Sequence, residues 1–292
     1  LALKRVLHGW VAHIQRFELA ALVQLAVISV VILPLLPRKG FGPGQILNPY
    51  ELWWAVVLVA CLSFLGYAAM RMVGTRVGAV IAGVFGGLAS STSTTLALSR
   101  LVRSDPQLGP SLAIGVVLAG SVTFLRVLVI STVFAPDLLT TLALPLGTMA
   151  AVGLSGAGIL AHLARKQRKA TSDLGGLTNP LAFGTALSFG AVLIAVLLGT
   201  HYLQLWFGAG GLYTAAALSG LTDVDALTIS VARASRGDLG LSSAATAIVI
   251  ALAVNTTVKG AIAVVTGGAS FGVRVVAVYA AALVAGAATL WL

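Results

Sequence analysis

Apolar runs long enough to cross a bilayer follow one another through almost the whole chain. No other feature of the sequence constrains its fold as strongly. A hydrocarbon core about 30 Å thick takes roughly 20 residues of helix. Seven stretches meet that requirement, at 19–36, 50–72, 111–134, 138–163, 181–203, 241–265 and 271–292, and two further helical runs lie at 77–100 and 210–233. Of the 292 residues, 59% are hydrophobic and 9% are charged, where a soluble domain carries about 25% charged residues. The chain is therefore expected to be an all-α polytopic membrane protein, and a soluble enzyme, a disordered chain or a disulfide scaffold is excluded. Cys61 has no second cysteine to pair with. The net charge of +10 would suggest nucleic acid in a soluble protein. Here Lys and Arg flank membrane segments, where they fix orientation, and no nucleic-acid partner is expected.

Residues 1–16 mix Lys4, Arg5, His8, His13 and Arg16 with apolar neighbours and read as an amphipathic helix on the membrane surface. The chain opens on Leu1, which reads as a fragment or processed form. The one clearly hydrophilic linker, 164–178, holds Arg165, Lys166, Arg168 and Lys169 and divides the chain.

The two sides of that linker resemble each other. A shift of 133 aligns residues 64–134 with 197–267 without a gap. It lays Gly87 on Gly220, Arg100 on Arg233, Arg103 on Arg236, Asp105 on Asp238 and Arg126 on Lys259. With two residues inserted, Asn48-Pro49 also matches Asn179-Pro180. The matches fall on Gly, Arg and Asp, which chance apolar similarity would not select. The expected organisation is an amphipathic segment and one extra transmembrane helix over 1–47, a membrane repeat over 48–163, a basic cytoplasmic linker over 164–178, and a second repeat over 179–292. Duplications of this kind are typical of transporters, with the site where the repeats meet.

Each repeat carries one unusual segment. Gly83 to Thr95 strings glycines before hydroxyl residues, and Leu218 to Thr228 contains Leu-Ser-Gly-Leu-Thr-Asp-Val-Asp. Such runs weaken a helix, and lipid tolerates broken backbone only where protein or a polar path surrounds it. Broken or re-entrant helices are expected at both places; close packing through small residues is the plainer alternative. Asp223 and Asp225 are the sharpest signal, because an intramembrane carboxylate is costly and functional by default. With Ser90, Ser91 and Thr92 at the equivalent positions, and with Asn255, they form a hard-oxygen set suited to a metal cation. Helix capping is the plainer role for the aspartates. Arg126 and Lys259 sit deep in apolar segments and are expected to pair with the aspartates, with proton coupling through the lysine open; snorkelling is their alternative.

The Gly-Gly-Leu-Ala-Ser-Ser-Thr-Ser-Thr-Thr run with Arg100 after it, the Leu-Ser-Gly-Leu-Thr-Asp-Val-Asp-Ala run and the paired Asn-Pro starts resemble the membrane domain found C-terminal to the MgtC/SapB-type domain in bacterial proteins. The resemblance implies a multi-pass protein of the bacterial inner membrane with a link to magnesium handling.

Topology follows from charge. With Arg126 and Lys259 left out, inverted repeats of three spans put twelve Lys and Arg inside and four outside, and parallel repeats of four spans put ten inside and six outside. The larger bias favours inverted repeats. The function expected is transport of an inorganic cation, divalent and Mg²⁺-like, between the broken segments. An anion carrier using Arg126 and Lys259 and a non-transporting membrane regulator remain as alternatives. No enzyme activity and no cofactor are expected. Membrane lipid and the ion are the expected partners, with a homodimer left open. The repeated Arg-x-x-Arg-x-Asp runs are expected to brace the breaks. Arg100 and Arg233 would bind carbonyls at the ends of the broken helices, and Arg103 and Arg236 would pair with Asp105 and Asp238.

Overall fold

A computed structural model describes residues 20, 23–42, 47–58, 60–61, 76–104, 106–164, 171–173, 183–237 and 239–289. The surface segment 1–16, most of the basic linker, Asn179-Pro180, Asp105 and Asp238 lie outside the described residues. The described chain is predominantly helical. α1 (Val23–Leu35) contains a π-helical stretch over Val27–Ile32. There the Trp53 indole N–H donates to the Ile28 carbonyl at 2.7 Å and ties α1 to α2 (49–58). Asn48 starts α2 by accepting the Tyr50 and Glu51 amides on Oδ1, with Pro49 at the first helical position, where its missing N–H costs nothing.

Next come α3 (Ala79–Ser104), α4 (Gly109–Phe134), α5 (Leu138–Ala164), α6 (Phe183–Gly220), α7 (Asp225–Ala234), α8 (Leu241–Gly267) and α9 (Ala269–Thr289). Two three-residue strands, β1 (Arg76–Gly78) and β2 (Thr171–Asp173), form a small antiparallel ribbon with Arg76 opposite Asp173. Part of the expected linker is thus paired to the start of α3.

Among the described residues, five helices are long and apolar enough to cross a membrane: Ala79–Arg103, Pro106–Phe134, Leu138–Ala164, Leu241–Gly267 and Ala269–Thr289. They follow the expected runs closely, and the protein is a multi-pass membrane protein. The expected run 181–203 falls in the first part of α6, which breaks at Gly208 with φ 58°, a conformation that costs a residue without Cβ little. The run 210–233 is divided between the end of α6 and α7. The described part of α1 is shorter than a span. Large apolar side chains stand outward on the long helices, among them Ile159 and Leu163 on α5, Val265 on α8 and Val284 on α9. A continuous apolar exterior of this kind faces lipid. α4 is the most enclosed of the five, packed between α3 and α5 and touched by α7 and α9.

α4 and α8 stand in opposite directions. At about 1.5 Å per residue each is roughly 40 Å long. The Arg103 guanidinium, shortly before α4 begins, donates to the Val265 and Thr266 carbonyls at the end of α8 at 2.9 and 2.7 Å. The Arg236 guanidinium, shortly before α8 begins, reaches the Phe134 carbonyl at the end of α4 at 3.4 Å. Each helix therefore finishes where the other starts. The last carbonyls of a helix have no intrahelical partner and carry its negative pole, so both arginines satisfy groups that lipid would leave bare.

Close backbone approach holds the breaks against these two helices. A Cβ added to Gly87 would lie 2.6 Å from the Ala119 Cα on α4, and one added to Gly220 would lie 2.5 Å from the Ala251 carbonyl oxygen on α8. The largest buried cluster joins Phe124, Leu142, Leu146 and Met149 to Leu227, Ile229, Ile248 and Leu252. Lipid tails are as apolar as leucine, so this packing stabilises by contact rather than by removal from water.

Candidate functional site

Two interruptions of helix lie opposite each other. In α3, Ser90 takes an extended conformation (φ −165°, ψ 101°) inside an otherwise helical run. The Ser93 amide donates to Ser90 Oγ at 3.4 Å, which gives the second half of α3 a serine cap. In the other half of the chain, α6 ends at Gly220 and α7 begins at Asp225. Between them the Thr222 and Asp223 amides donate to the Ser219 carbonyl at 3.0 and 2.9 Å, and Ser219 Oγ donates to the Asp223 carbonyl at 3.1 Å. Ser90 and Asp223 are the residues the 133-residue shift superimposes.

Each interruption frees a carbonyl, and each is met by a polar side chain from the long helix that follows it. Arg126 Nη1 on α4 donates to the Leu88 carbonyl at 3.0 Å. Asn255 Nδ2 on α8 donates to the Gly220 carbonyl at 3.1 Å. Arg126 extends further: its Nη2 makes a 2.5 Å charge-assisted bond to Asp225 Oδ2. The guanidinium thus links the end of one broken helix to the start of the other. Asp225 occupies the first turn of α7, where the positive helix pole favours a carboxylate. Val224, the residue before it, makes no side-chain cap, so burial and ion pairing, not capping, define Asp225.

Lys259, 1% exposed, donates from Nζ to Thr123 Oγ1 on α4 at 3.1 Å, and Thr123 Oγ1 donates onward to the Ala119 carbonyl. Thr123 stands about one turn before Arg126 on α4, so Lys259 is brought beside the Arg126–Asp225 pair. Arg126 and Asp225 are 9% and 6% exposed, so neither basic residue snorkels. Two cations and two carboxylates are gathered in one enclosed region. The Arg126 Nε is buried without a hydrogen-bond partner among the described residues.

The remaining expected ligands are placed differently. Ser90 is exposed, and Ser91, Thr92 and Asp223 are half-buried. No hydrogen bond joins the three hydroxyl residues to either aspartate among the described residues. Nor do those residues contain a group of three or more His, Cys, Asp or Glu that could hold a metal ion. A cation at Asp225 would draw on carboxylate, amide and backbone oxygens.

The structure places the expected bracing residues as follows. Arg233 pairs through Nε with Glu51 Oε2 at 2.9 Å, and the expected partners of Arg103 and Arg236, Asp105 and Asp238, lie outside the described residues. Arg100 is exposed on α3. Carbonyl capping falls to Arg103 and Arg236, and across the two halves of the chain. Glu51, Thr123 and the Leu88 carbonyl were not anticipated. Glu51 was open to discovery as one of only 8 acidic residues, set directly after the Asn48-Pro49 start. A backbone carbonyl carries no sequence signal.

Comparison with known proteins gives a family without an activity. A protein of Aquifex aeolicus (strain VF5), described as "Uncharacterized protein", is 30% identical over 189 residues, covering 64% of this chain and 82% of the relative. No solved structure matches the chain. Neither finding concerns an MgtC/SapB-type domain. The model of the family described as "Domain of unknown function (DUF4010)" matches residues 57–267, a stretch holding both broken helices and all four members of the charge cluster, and the chain belongs to that family.

Proposed function

We propose that the protein is a secondary transporter of a small inorganic cation, built from two inverted repeats, with Asp225 as the ion-binding carboxylate. The observation that carries this reading is the burial of Asp225 at a helix break between Arg126 and Lys259. A charge enclosed at a break is expensive to keep unless it works. The antiparallel course of α4 and α8, at positions the 133-residue shift equates, supports inversion of the repeats. Inverted repeats with discontinuous helices suit alternating access around a central site.

In this reading Arg126 is a fixed counter-charge, because a guanidinium does not lose its proton in a protein. Lys259 is the exchangeable one. A cation arriving at Asp225 while Lys259 releases a proton limits the change in net charge of the cluster, which couples uptake to proton movement. Asp223 and the Asn255 amide oxygen supply further hard-oxygen donors, which suits a divalent ion such as Mg²⁺. A bacterial inner membrane is the proposed location, which the Aquifex relative supports, and no catalysis is assigned.

One observation favours an anion instead: the unpartnered Arg126 Nε–H is a donor in want of an acceptor. Protein reconstituted in vesicles would be tested for uptake of Mg²⁺, Mn²⁺, Ca²⁺ and Na⁺, and of chloride and phosphate. Asp225→Asn should abolish cation uptake. Undiminished uptake in that variant would sink the cation reading, and anion uptake lost only with Arg126→Gln would establish the other.

A further inference from the structure

Outside the charge cluster, the described residues line at least two cavities. The first, about 480 Å³, is lined by Asn48, Glu51, Thr200, Ser230, Arg233 and Arg236. The second, about 620 Å³, is lined by Arg103, Gln107, Gly267, Ser270, Phe271 and Arg274. Arg236 in the first and Arg103 in the second are the residues the 133-residue shift equates. The two cavities also stand at opposite ends of one membrane-length helix. The first includes Gly237, just ahead of the start of α8 at Leu241, and the second includes Gly267 at its end. α4 repeats the relation in reverse, starting at Gly109 in the second cavity and ending at Phe134, where Arg236 of the first cavity reaches its last carbonyl.

We infer that these cavities are the two vestibules of the transport path, opening on opposite faces of the membrane. The inference rests on the transport reading above and adds the route by which water and the ion reach Asp225. Ser230 of the first cavity lies on α7 five residues after Asp225, a rise of about 7.5 Å. Its hydroxyl shares a 2.9 Å hydrogen bond with Thr200, a polar pair beside the apolar Leu197, Leu212 and Val231 that line the same cavity. On the other side, Leu98, Leu112, Val116, Phe271 and Tyr279 fill the space inward of the second cavity. The Tyr279 hydroxyl donates to the Val116 carbonyl at 2.7 Å, locking α9 onto α4. An apolar plug thus lies inward of the second vestibule, and buried apolar residues of α7, among them Leu227 and Ile229, lie between the first and Asp225.

Three of the four arginines in these mouths have their charge offset. Arg233 is paired with Glu51. Arg103 and Arg236 face the negative poles of α8 and α4, which offset their charge.

Sidedness of thiol labelling tests the inference without requiring any ion to move. In a Cys61→Ser background, which leaves the chain free of cysteine, Ala234→Cys and Ser270→Cys each place one thiol at a cavity. Ser230→Cys and Gln107→Cys provide a second pair should either of the first fold poorly. Intact vesicles are treated with a membrane-impermeant maleimide from one face and then, in a separate sample, from the other. Each pair should label from opposite faces, and Ser230→Cys should label more readily than a thiol placed at Ser99, behind the apolar plug. Labelling of both cavities from the same face, or of neither in folded protein, would overturn the inference. Once cation uptake is measured, a bulky maleimide at either cavity should block it. Opposite-face labelling in vesicles that carry no cation would leave the vestibules standing and remove only the transport reading.

Discussion

Arg126 and Asp225 form their ion pair across 99 residues of sequence, and the pair joins one half of the chain to the other at the level of both helix breaks. Each side chain depends on the other for its burial. Asp225 also draws on Lys259, whereas Arg126 also draws on the Leu88 carbonyl.

Removing one member should therefore cost more than removing both. Asp225→Asn or Arg126→Leu alone is expected to destabilise by about 3–5 kcal/mol, the usual cost of leaving a buried charge unpaired. Asp225→Asn combined with Arg126→Leu should recover part of that loss, Lys259 remaining with Thr123. Thermal melting of the purified protein in detergent, read as a double-mutant cycle, checks it. Strict additivity would mean the pair carries no coupling energy.

Gly87 and Gly220 should tolerate no side chain. Gly87→Ala and Gly220→Ala each push a methyl group into backbone of a neighbouring helix, and overpacking of this kind costs about 1–3 kcal/mol. Gly147→Ala on α5 meets nothing within 4 Å and serves as the control, with melting unchanged or raised.

Arg103→Ala and Arg236→Ala should each lower stability by about 1.5–3 kcal/mol, the range for hydrogen bonds to a charged group. Arg103 makes two such bonds and Arg236 one longer one, so the first should lose more. Arg100→Ala, which removes no side-chain hydrogen bond seen among the described residues, should stay within about 0.5 kcal/mol of the parent. Equal losses in Arg100→Ala and Arg103→Ala would contradict the capping geometry.

Glu51→Gln should have a small effect that salt erases. The Glu51 side chain is 44% exposed, and pairs of this kind contribute about 0.2–1 kcal/mol. Melting of Glu51→Gln and of the parent should converge as ionic strength rises.

Lys259→Arg distinguishes a fixed charge from an exchangeable one. The arginine keeps the positive charge but holds its proton. In vesicles, cation uptake by the parent should depend on an imposed pH gradient, and uptake by this variant should not. Unaltered coupling would remove Lys259 from the proton path.

The membrane-length helices were legible because lipid demands long unbroken apolar runs, and α4, α5 and α8 begin and end within a few residues of the expected bounds. The breaks were legible too, since Gly86, Gly87 and the hydroxyl run after them, like Ser219 to Asp225, weaken helix wherever they occur. Partners were harder to read. Arg126 stood out as a charge in an apolar run, but its two contacts depend on which face of α4 meets α7. Arg103 and Arg236 were visible as charges kept in both halves. Their targets are the bare carbonyls at the ends of α8 and α4, and any sequence can supply a carbonyl. The neighbouring aspartates drew attention instead, and Glu51, which pairs with Arg233, lay in a different part of the chain.

The reciprocal arginines impose an order on biogenesis. When α8 is synthesised, Arg103 has already been made and can meet its final carbonyls at once. The end of α4 has no such help, because Arg236 lies 102 residues further on. At about 5–20 residues per second, Phe134 waits roughly 5–20 s for its partner. During that interval α4 sits in the bilayer, or beside the insertion machinery, with its terminal carbonyl unmet. The first half of this protein is thus an unfinished object until the second arrives, and a nascent chain halted between the two should be a preferred substrate for membrane quality control.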